Sequence, residues 1–232
     1  MASDNARQGA ARRNGWVGVG LGFIAGYVDT LGFMALFGLF TAHVTGNFVL
    51  IGSELARPGH GVLIKLLAFP AFVAGIALAR AIVRRHELGE QSPLAWLYGV
   101  QMLLLSGFML AGVSALPLAD SPSAMAIIAG MFGAAGMGVQ NAASRLALSA
   151  LTPTTVMTGN VTQLVIDLLD LASPGHDPTV AARVRKFLGP IVAFAAGAIG
   201  GGFGYVRLSF WALLLPIVLL LVLMLAARRQ AD

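Results

Sequence analysis

Six stretches of this 232-residue chain are apolar for long enough to cross a bilayer: about 16–40, 62–83, 94–116, 122–146, 187–206 and 208–227. A hydrocarbon core about 30 Å thick takes about 20 apolar residues of helix, and each of the six meets that length. Two further apolar stretches, about 45–56 and 155–172, are less clear. The first would make about 18 Å of helix, half a bilayer, while the second could just reach across. A water-soluble fold needs a polar surface that this chain lacks. Only 11% of its residues are charged and 57% are hydrophobic, against about 25% charged in soluble domains, and the mean hydropathy is +0.82. Disorder is excluded by the same figures, because disordered chains are rich in charge and poor in apolar residues. The net charge of +5 is spread over short, separated groups of Lys and Arg, so no nucleic acid is expected as a partner. The predicted class is an all-α transmembrane protein with about six spanning helices, whose first partner is the lipid bilayer.

Residues 1–15 form a polar tail carrying Arg7, Arg12 and Arg13. The apolar run after it, about 25 residues, exceeds the 7–15-residue core of a cleaved signal and is read as the first transmembrane helix. Residues 16–228 then form one integral membrane domain. An amphipathic transit segment rich in Arg and Ser is missing from the start, which points to a bacterial inner membrane. Cysteine is absent, and with it any disulfide, thiol nucleophile or thiolate metal site.

The chain repeats itself. Thr41–Asn47 (T-A-H-V-T-G-N) matches Thr154–Asn160 (T-T-V-M-T-G-N), and seven residues beyond each Asn stands an acid, Glu54 or Asp167. Pro58-Gly59-His60 answers to Pro174-Gly175-His176, and the A-F-V-A-G run ending at Gly75 answers to A-F-A-A-G ending at Gly197. Upstream, Gly26-Tyr27-Val28-Asp29 stands where the other half has Gly138-Val139-Gln140-Asn141. Matches in one order, about 113–122 residues apart, indicate a duplication, with halves of about 16–116 and 122–228. Charge decides its sense, because Lys and Arg favour cytoplasmic loops. If the T-G-N segments do not traverse and the N-terminus is inside, 12 of the 15 basic residues face the cytoplasm, leaving Arg57, Lys65 and Arg207 outside. If both segments cross, giving eight helices, the split worsens to 10 against 5, with Arg80, Arg84 and Arg85 outside. The preferred arrangement is six crossings in two inverted halves, each with a short broken or re-entrant T-G-N segment and with both termini cytoplasmic.

These segments are the main functional lead. Gly46 and Gly159 could permit the break, and Thr45 and Thr158 could cap the helix that follows. Irregular backbone survives at membrane depth only inside protein or beside a watery cavity, and in inverted-repeat transporters paired half-helices meet near the midplane to bind substrate. The competing reading is that Gly and Thr merely let helices pack while Asn47 and Asn160 cross-link them. Asp29, mid-span in the first helix, is the costliest residue and a default candidate for an ion or proton pathway. Alternatively it pairs with Arg145, or with hydroxyls, and fixes packing. Its repeat mate Asn141 cannot titrate. His43 could titrate between pH 5 and 8 or simply sit at the membrane–water interface. Gln140, Ser144 and Asn141 form a polar group on one helix, while Glu54, Asp167 and Asp170 are expected at solvated segment ends.

Gly18, Gly22 and Gly26, and likewise Gly197 and Gly201, recur every four residues, the pattern of small-residue faces for close helix contact; such faces would also suit a second copy of the chain. There is no H-E-x-x-H, G-x-S-x-G or Walker A motif, and no strand precedes the G-x-G patterns. The four His are scattered. No catalytic residue, metal site or cofactor is expected, and the chain is not read as an enzyme.

The stretch G-Y-V-D-T-L-G-F from Gly26 and T-A-H-V-T-G-N from Thr41, with Gly138–Ala142 and T-P-T-T-V-M-T-G-N from Thr152, resembles the YoaK-like bacterial membrane proteins. The resemblance covers about 15–228 and is most specific in the paired T-G-N motifs. It implies a small polytopic inner-membrane protein of unknown function and supplies no substrate. The residues themselves point to a secondary transporter or permease for a small solute, with protons as a coupling ion and Asp29, His43, Thr45, Asn47, Gln140, Asn141, Thr158 and Asn160 as candidate ligands. An ion or solute channel and a non-transporting membrane scaffold are the alternatives.

Overall fold

The structure, a computed structural model, describes residues 2–57, 59–87, 92–175 and 177–229, with side chains from Gly15 onward. Pro58 and His176 of the repeated P-G-H triplets, and the side chains of Arg7, Arg12 and Arg13, lie outside the described residues. Within them the chain forms no strand and eight α-helices: α1 (Ala2–Ala35), α2 (Gly46–Ala56), α3 (Val62–Glu87), α4 (Leu94–Ser114), α5 (Ala124–Leu146), α6 (Met157–Ala172), α7 (Val180–Leu208) and α8 (Leu214–Arg228). A 3-10 turn, Ser209–Leu213, joins the last two.

Five stretches are long and apolar enough to span a membrane: Gly15–Ala35, Val62–Glu87, Leu94–Ser114, Ala124–Leu146 and Val180–Arg228. The chain is a multi-pass membrane protein. Six spans were expected. The number differs because the last two form one helical run of 49 residues, about twice what one crossing needs. That run reverses at Ser209, which adopts φ 51° and ψ −140°. Phe210 and Leu213 of the 3-10 turn are fully buried, and Tyr27 Oη donates to the Ala212 carbonyl at 3.1 Å. The first span also ends early. Expected to reach residue 40, it stops at Ala35, and positive φ at Phe37 (55°) and Gly38 (74°) turns the chain into an irregular loop. The two uncertain stretches become α2 and α6, with 11 and 16 residues, about 16 and 24 Å of helix.

Close approach of backbones organises the bundle, and glycine makes it possible. A methyl group at Gly26 of α1 would overlap the Phe194 carbonyl oxygen of α7, and one at Gly197 of α7 would overlap the Phe23 carbonyl oxygen of α1. The pair α3–α5 repeats this arrangement. Gly138 of α5 lies against the Phe72 carbonyl oxygen, and Gly75 of α3 against that of Ala135. Along each pair the contacts advance together, Gly22 against Pro190 and Tyr27 against Gly201 in the first, Ile64 against Gly130 and Phe72 against Gly138 in the second, so the partners run parallel. By contrast α4 is antiparallel to α5, with Gly107 facing Phe132 and Gly136 facing Leu104, and to the last helical run, with Gly99 facing Met224 of α8 and Gly112 facing Phe210 of the turn before it. The glycine rows expected to serve helix contact therefore do so between α1 and α7 of one chain. Their outer faces are apolar: Val49, Leu103 and Val206 are each about 70% exposed, as a lipid-facing surface requires.

Candidate functional site

The α1–α2 loop (36–45) and the α5–α6 loop (147–156) lead into the two short helices, and a cavity of about 300 Å³ lies between them. The first loop supplies Ala42, His43, Val44 and Thr45 to its walls, and the second supplies Thr155 and Val156. Asn141 comes from α5, Phe69 and Phe72 from α3, and Met157 and Thr158 from α6. Thr45, Val156 and Thr158 are exposed at its rim. Apolar walls with a few convergent polar groups are the usual make-up of a small-molecule site.

Asp29 is 4% exposed and does not meet Arg145, which is exposed at the end of α5. Its partner is His43. Asp29 Oδ2 and His43 Nδ1 stand 2.6 Å apart, and Asp29 Oδ1 accepts from the backbone N–H of Ala42 at 2.7 Å and of His43 at 3.4 Å, and from Thr41 Oγ1 at 3.3 Å. The carboxylate therefore holds the loop in shape and delivers His43, whose other face opens on the cavity. His43 also lies edge-on to Phe194, with ring centroids 5.8 Å apart. The equivalent position in the second half is filled without charge: Asn141 Nδ2 donates to Thr155 Oγ1 at 2.7 Å.

Other candidates prove to be fastenings. Asn47 Oδ1 accepts from the Phe40 N–H at 2.9 Å and its Nδ2 donates to the Phe40 carbonyl at 2.8 Å. Asn160 Nδ2 donates to the carbonyl of Pro153, likewise seven residues back, at 2.6 Å. Gln140 is 1% exposed. Its Nε2 donates to the Leu21 carbonyl at 2.8 Å and Thr154 Oγ1 at 3.0 Å, and its Oε1 accepts from Gln101 Nε2 at 2.7 Å. Ser144 reaches the same threonine at 3.2 Å, whereas Asn141 points to Thr155. Asn47, Asn160 and Gln140 thus have protein partners and do not line the cavity, while His43, Thr45, Asn141 and Thr158 do.

Three local expectations are corrected. Neither T-G-N glycine makes a break: Gly46 is the first residue of α2, Gly159 lies inside α6, and the positive φ values fall at Phe37 and Gly38. Neither threonine caps. Thr45 occupies the N-cap of α2 in αR geometry with no side-chain bond, and the N-cap of α6 is Val156. Nor are the acids all at solvated ends. Asp167 is fully buried, with Oδ1 accepting from Arg183 Nε at 3.0 Å and Gln163 Nε2 at 3.1 Å. Glu54 Oε1 accepts from Lys65 Nζ at 2.5 Å, and Lys65, counted on the outer side of the membrane, is 1% exposed. Asp170, near the end of α6, is exposed as expected; Asp177 ahead of α7 is exposed too, its carboxyl held below the usual range by the backbone N–H of Thr179. Sequence reasoning missed Thr41, Thr154 and Thr155. Their signal was position: Thr41 and Thr154 each stand four residues before the T-G-N threonine, and Thr155 adjoins the second.

The sequence profile of a family described as a protein of unknown function, DUF1275, matches residues 17–226. The chain is 31% identical over 149 residues to the UPF0700 transmembrane protein YoaK of Bacillus subtilis (strain 168). That match spans 62% of each chain, so the chain matches less than two thirds of that relative's length. No solved structure matches. With the profile covering nearly the whole bundle, the chain belongs to the DUF1275 family of transmembrane proteins of unknown function.

Proposed function

We propose that the protein is a secondary transporter for a small solute, built from two inverted halves, with its site in the cavity between the two T-G-N segments and with Asp29 and His43 carrying the coupling proton. The observation that carries this reading is the cavity itself, walled by both irregular loops and by polar residues of both halves. Its volume of about 300 Å³ is at the lower end for ligand pockets, which suits a solute of few heavy atoms. His43, Asn141, Thr45, Thr155 and Thr158 offer hydrogen bonds, and the two Phe rings offer an apolar wall. The halves differ where chemistry would need them to. One holds an acid–imidazole pair and the other an amide–hydroxyl pair, so only the first can gain and lose a proton.

The inverted arrangement is supported by helix direction. Helices α1, α4 and α7 run one way and α3, α5 and α8 the other, as deduced from the glycine contacts, while α2 and α6 are too short to cross. The glycine contacts of α1–α7 recur in α3–α5 at matching repeat positions. Topology has a direct test, because the chain has no native cysteine. His60 and Thr179 are both exposed, and single cysteines there can be labelled in intact cells with an impermeant reagent. Six crossings predict labelling of His60→Cys only; labelling at neither position would favour eight.

Coupling is tested in proteoliposomes loaded with a pH-sensitive dye and challenged with a panel of small solutes. The wild type is expected to move protons with one of them. Asp29→Asn keeps an acceptor for the Ala42 N–H, so the protein should fold and exchange solute while proton movement falls at least tenfold. Uptake unchanged by Asp29→Asn at every pH would overturn the coupling.

A further inference from the structure

A second, larger concavity lies away from the central cavity, between the start of the α1 span, the α5–α6 loop and α7. It has a volume of about 700 Å³. Val19, Leu151 and Pro190 make an apolar floor, and Trp16, 75% exposed, stands at one side. Arg185 and Lys186, adjacent on α7, make the other side. Both are exposed, and among the described residues neither has an ion pair. The walls are tied together, since Thr152 Oγ1 donates to the Lys186 carbonyl at 3.2 Å. The helices also approach closely at this level, where a methyl group on Gly189 would lie 3.1 Å from Val19.

We propose that this groove binds one anionic phospholipid of the surrounding bilayer, with the phosphate between Arg185 and Lys186 and an acyl chain along Val19, Leu151 and Pro190. Three features converge on that ligand. The groove opens where the apolar span of α1 begins, at Gly15, the height at which Trp marks a membrane–water boundary. Two cations without acidic partners beside an apolar cleft complement an amphiphile with a negative head. A soluble phosphate would leave the apolar floor unused, and a zwitterionic lipid would bring its own cation to the basic pair. Basic pockets between transmembrane helices on the cytoplasmic side recognise acidic headgroups in this way, and the charge distribution of the chain assigns this end to the cytoplasm.

The test uses the full chain in a neutral detergent, titrated with short-chain phosphatidylglycerol and read by native mass spectrometry. Saturable binding of one lipid is expected. Phosphatidylcholine with the same tails should bind at least tenfold more weakly, and inorganic phosphate should not compete. Arg185→Gln/Lys186→Gln should weaken binding about tenfold or more. Arg84→Gln/Arg85→Gln removes the same charge from another exposed pair and should leave it within about twofold. Gly15 has nothing within 4 Å of a Cβ, so Gly15→Trp tests the apolar cleft without repacking the bundle and should also weaken binding. Equal losses from the two double variants would reduce the effect to net charge and overturn the site, as would equal binding of phosphatidylcholine. Competition by inorganic phosphate would point to a free-anion site instead. None of these outcomes depends on transport.

Discussion

Gly26→Leu is expected to destabilise the fold strongly, while Gly159→Leu, placed in one of the repeated motifs, leaves it intact. A Cβ at Gly26 would overlap the Phe194 carbonyl oxygen and lie 2.9 Å from the Ala198 nitrogen. Both neighbours are backbone, which has no rotamer through which to yield, so α1 and α7 would have to part along their whole contact. Overpacking costs about 1–3 kcal/mol where side chains can adjust. A loss of about 3 kcal/mol would already lower the melting temperature by roughly 6–12 °C, and backbone overlap places Gly26→Leu at or beyond that. Gly138→Leu, against the Phe72 carbonyl, should behave alike. At Gly159 a Cβ meets nothing within 4 Å, and the melting temperature should stay within a few degrees. The measurement is thermal unfolding in detergent followed by size exclusion. Equal tolerance at Gly26 and Gly159 would mean that α1 and α7 do not touch as described.

The contrast shows what a sequence of this kind reveals. Long apolar stretches announce helices because nothing else satisfies backbone polar groups in lipid, and five of them stand close to where hydropathy puts them. Glycines four residues apart announce a close contact but not its partner; Gly26 meets α7, some 168 positions away in the chain. The reversal at Ser209 was legible only as a gap of one residue between two apolar runs, because no Gly or Pro marks it. The T-G-N motif was legible as a repeat, yet its parts were harder to assign. Asn side chains suit ligand binding and loop fastening equally well by composition. Only the seven-residue return to Phe40 and Pro153 separates the two uses. Asp29 stood out for its cost in a membrane. Its pairing with His43 followed from a turn at Phe37 and Gly38, and Phe at positive φ leaves no sequence signal.

That turn is also held from outside the loop, and Lys65→Met is expected to release it. Lys65 is a fully buried cation whose Nζ donates to the Phe37 carbonyl at 2.6 Å and to Glu54 Oε1 at 2.5 Å. Methionine fills similar space but abandons both acceptors, and Glu54 Oε2 already has no partner among the described residues. Breaking a buried ion pair from one side costs about 3–5 kcal/mol, which would lower the melting temperature by roughly 6–20 °C. Arg183→Met should cost a similar amount: Arg183 is itself 42% exposed, but its loss leaves the fully buried Asp167 carboxylate with Gln163 as its side-chain donor. The double variant Glu54→Gln/Lys65→Met separates charge from shape. It leaves no buried ion unpaired, so it should melt above Lys65→Met alone, the non-additivity of groups in direct contact. It still lacks a donor for the Phe37 carbonyl, so it should melt below the wild type. If single and double variants melt together, the Glu54 charge is not what makes losing Lys65 costly; the carbonyl bond at the turn would then carry the whole effect.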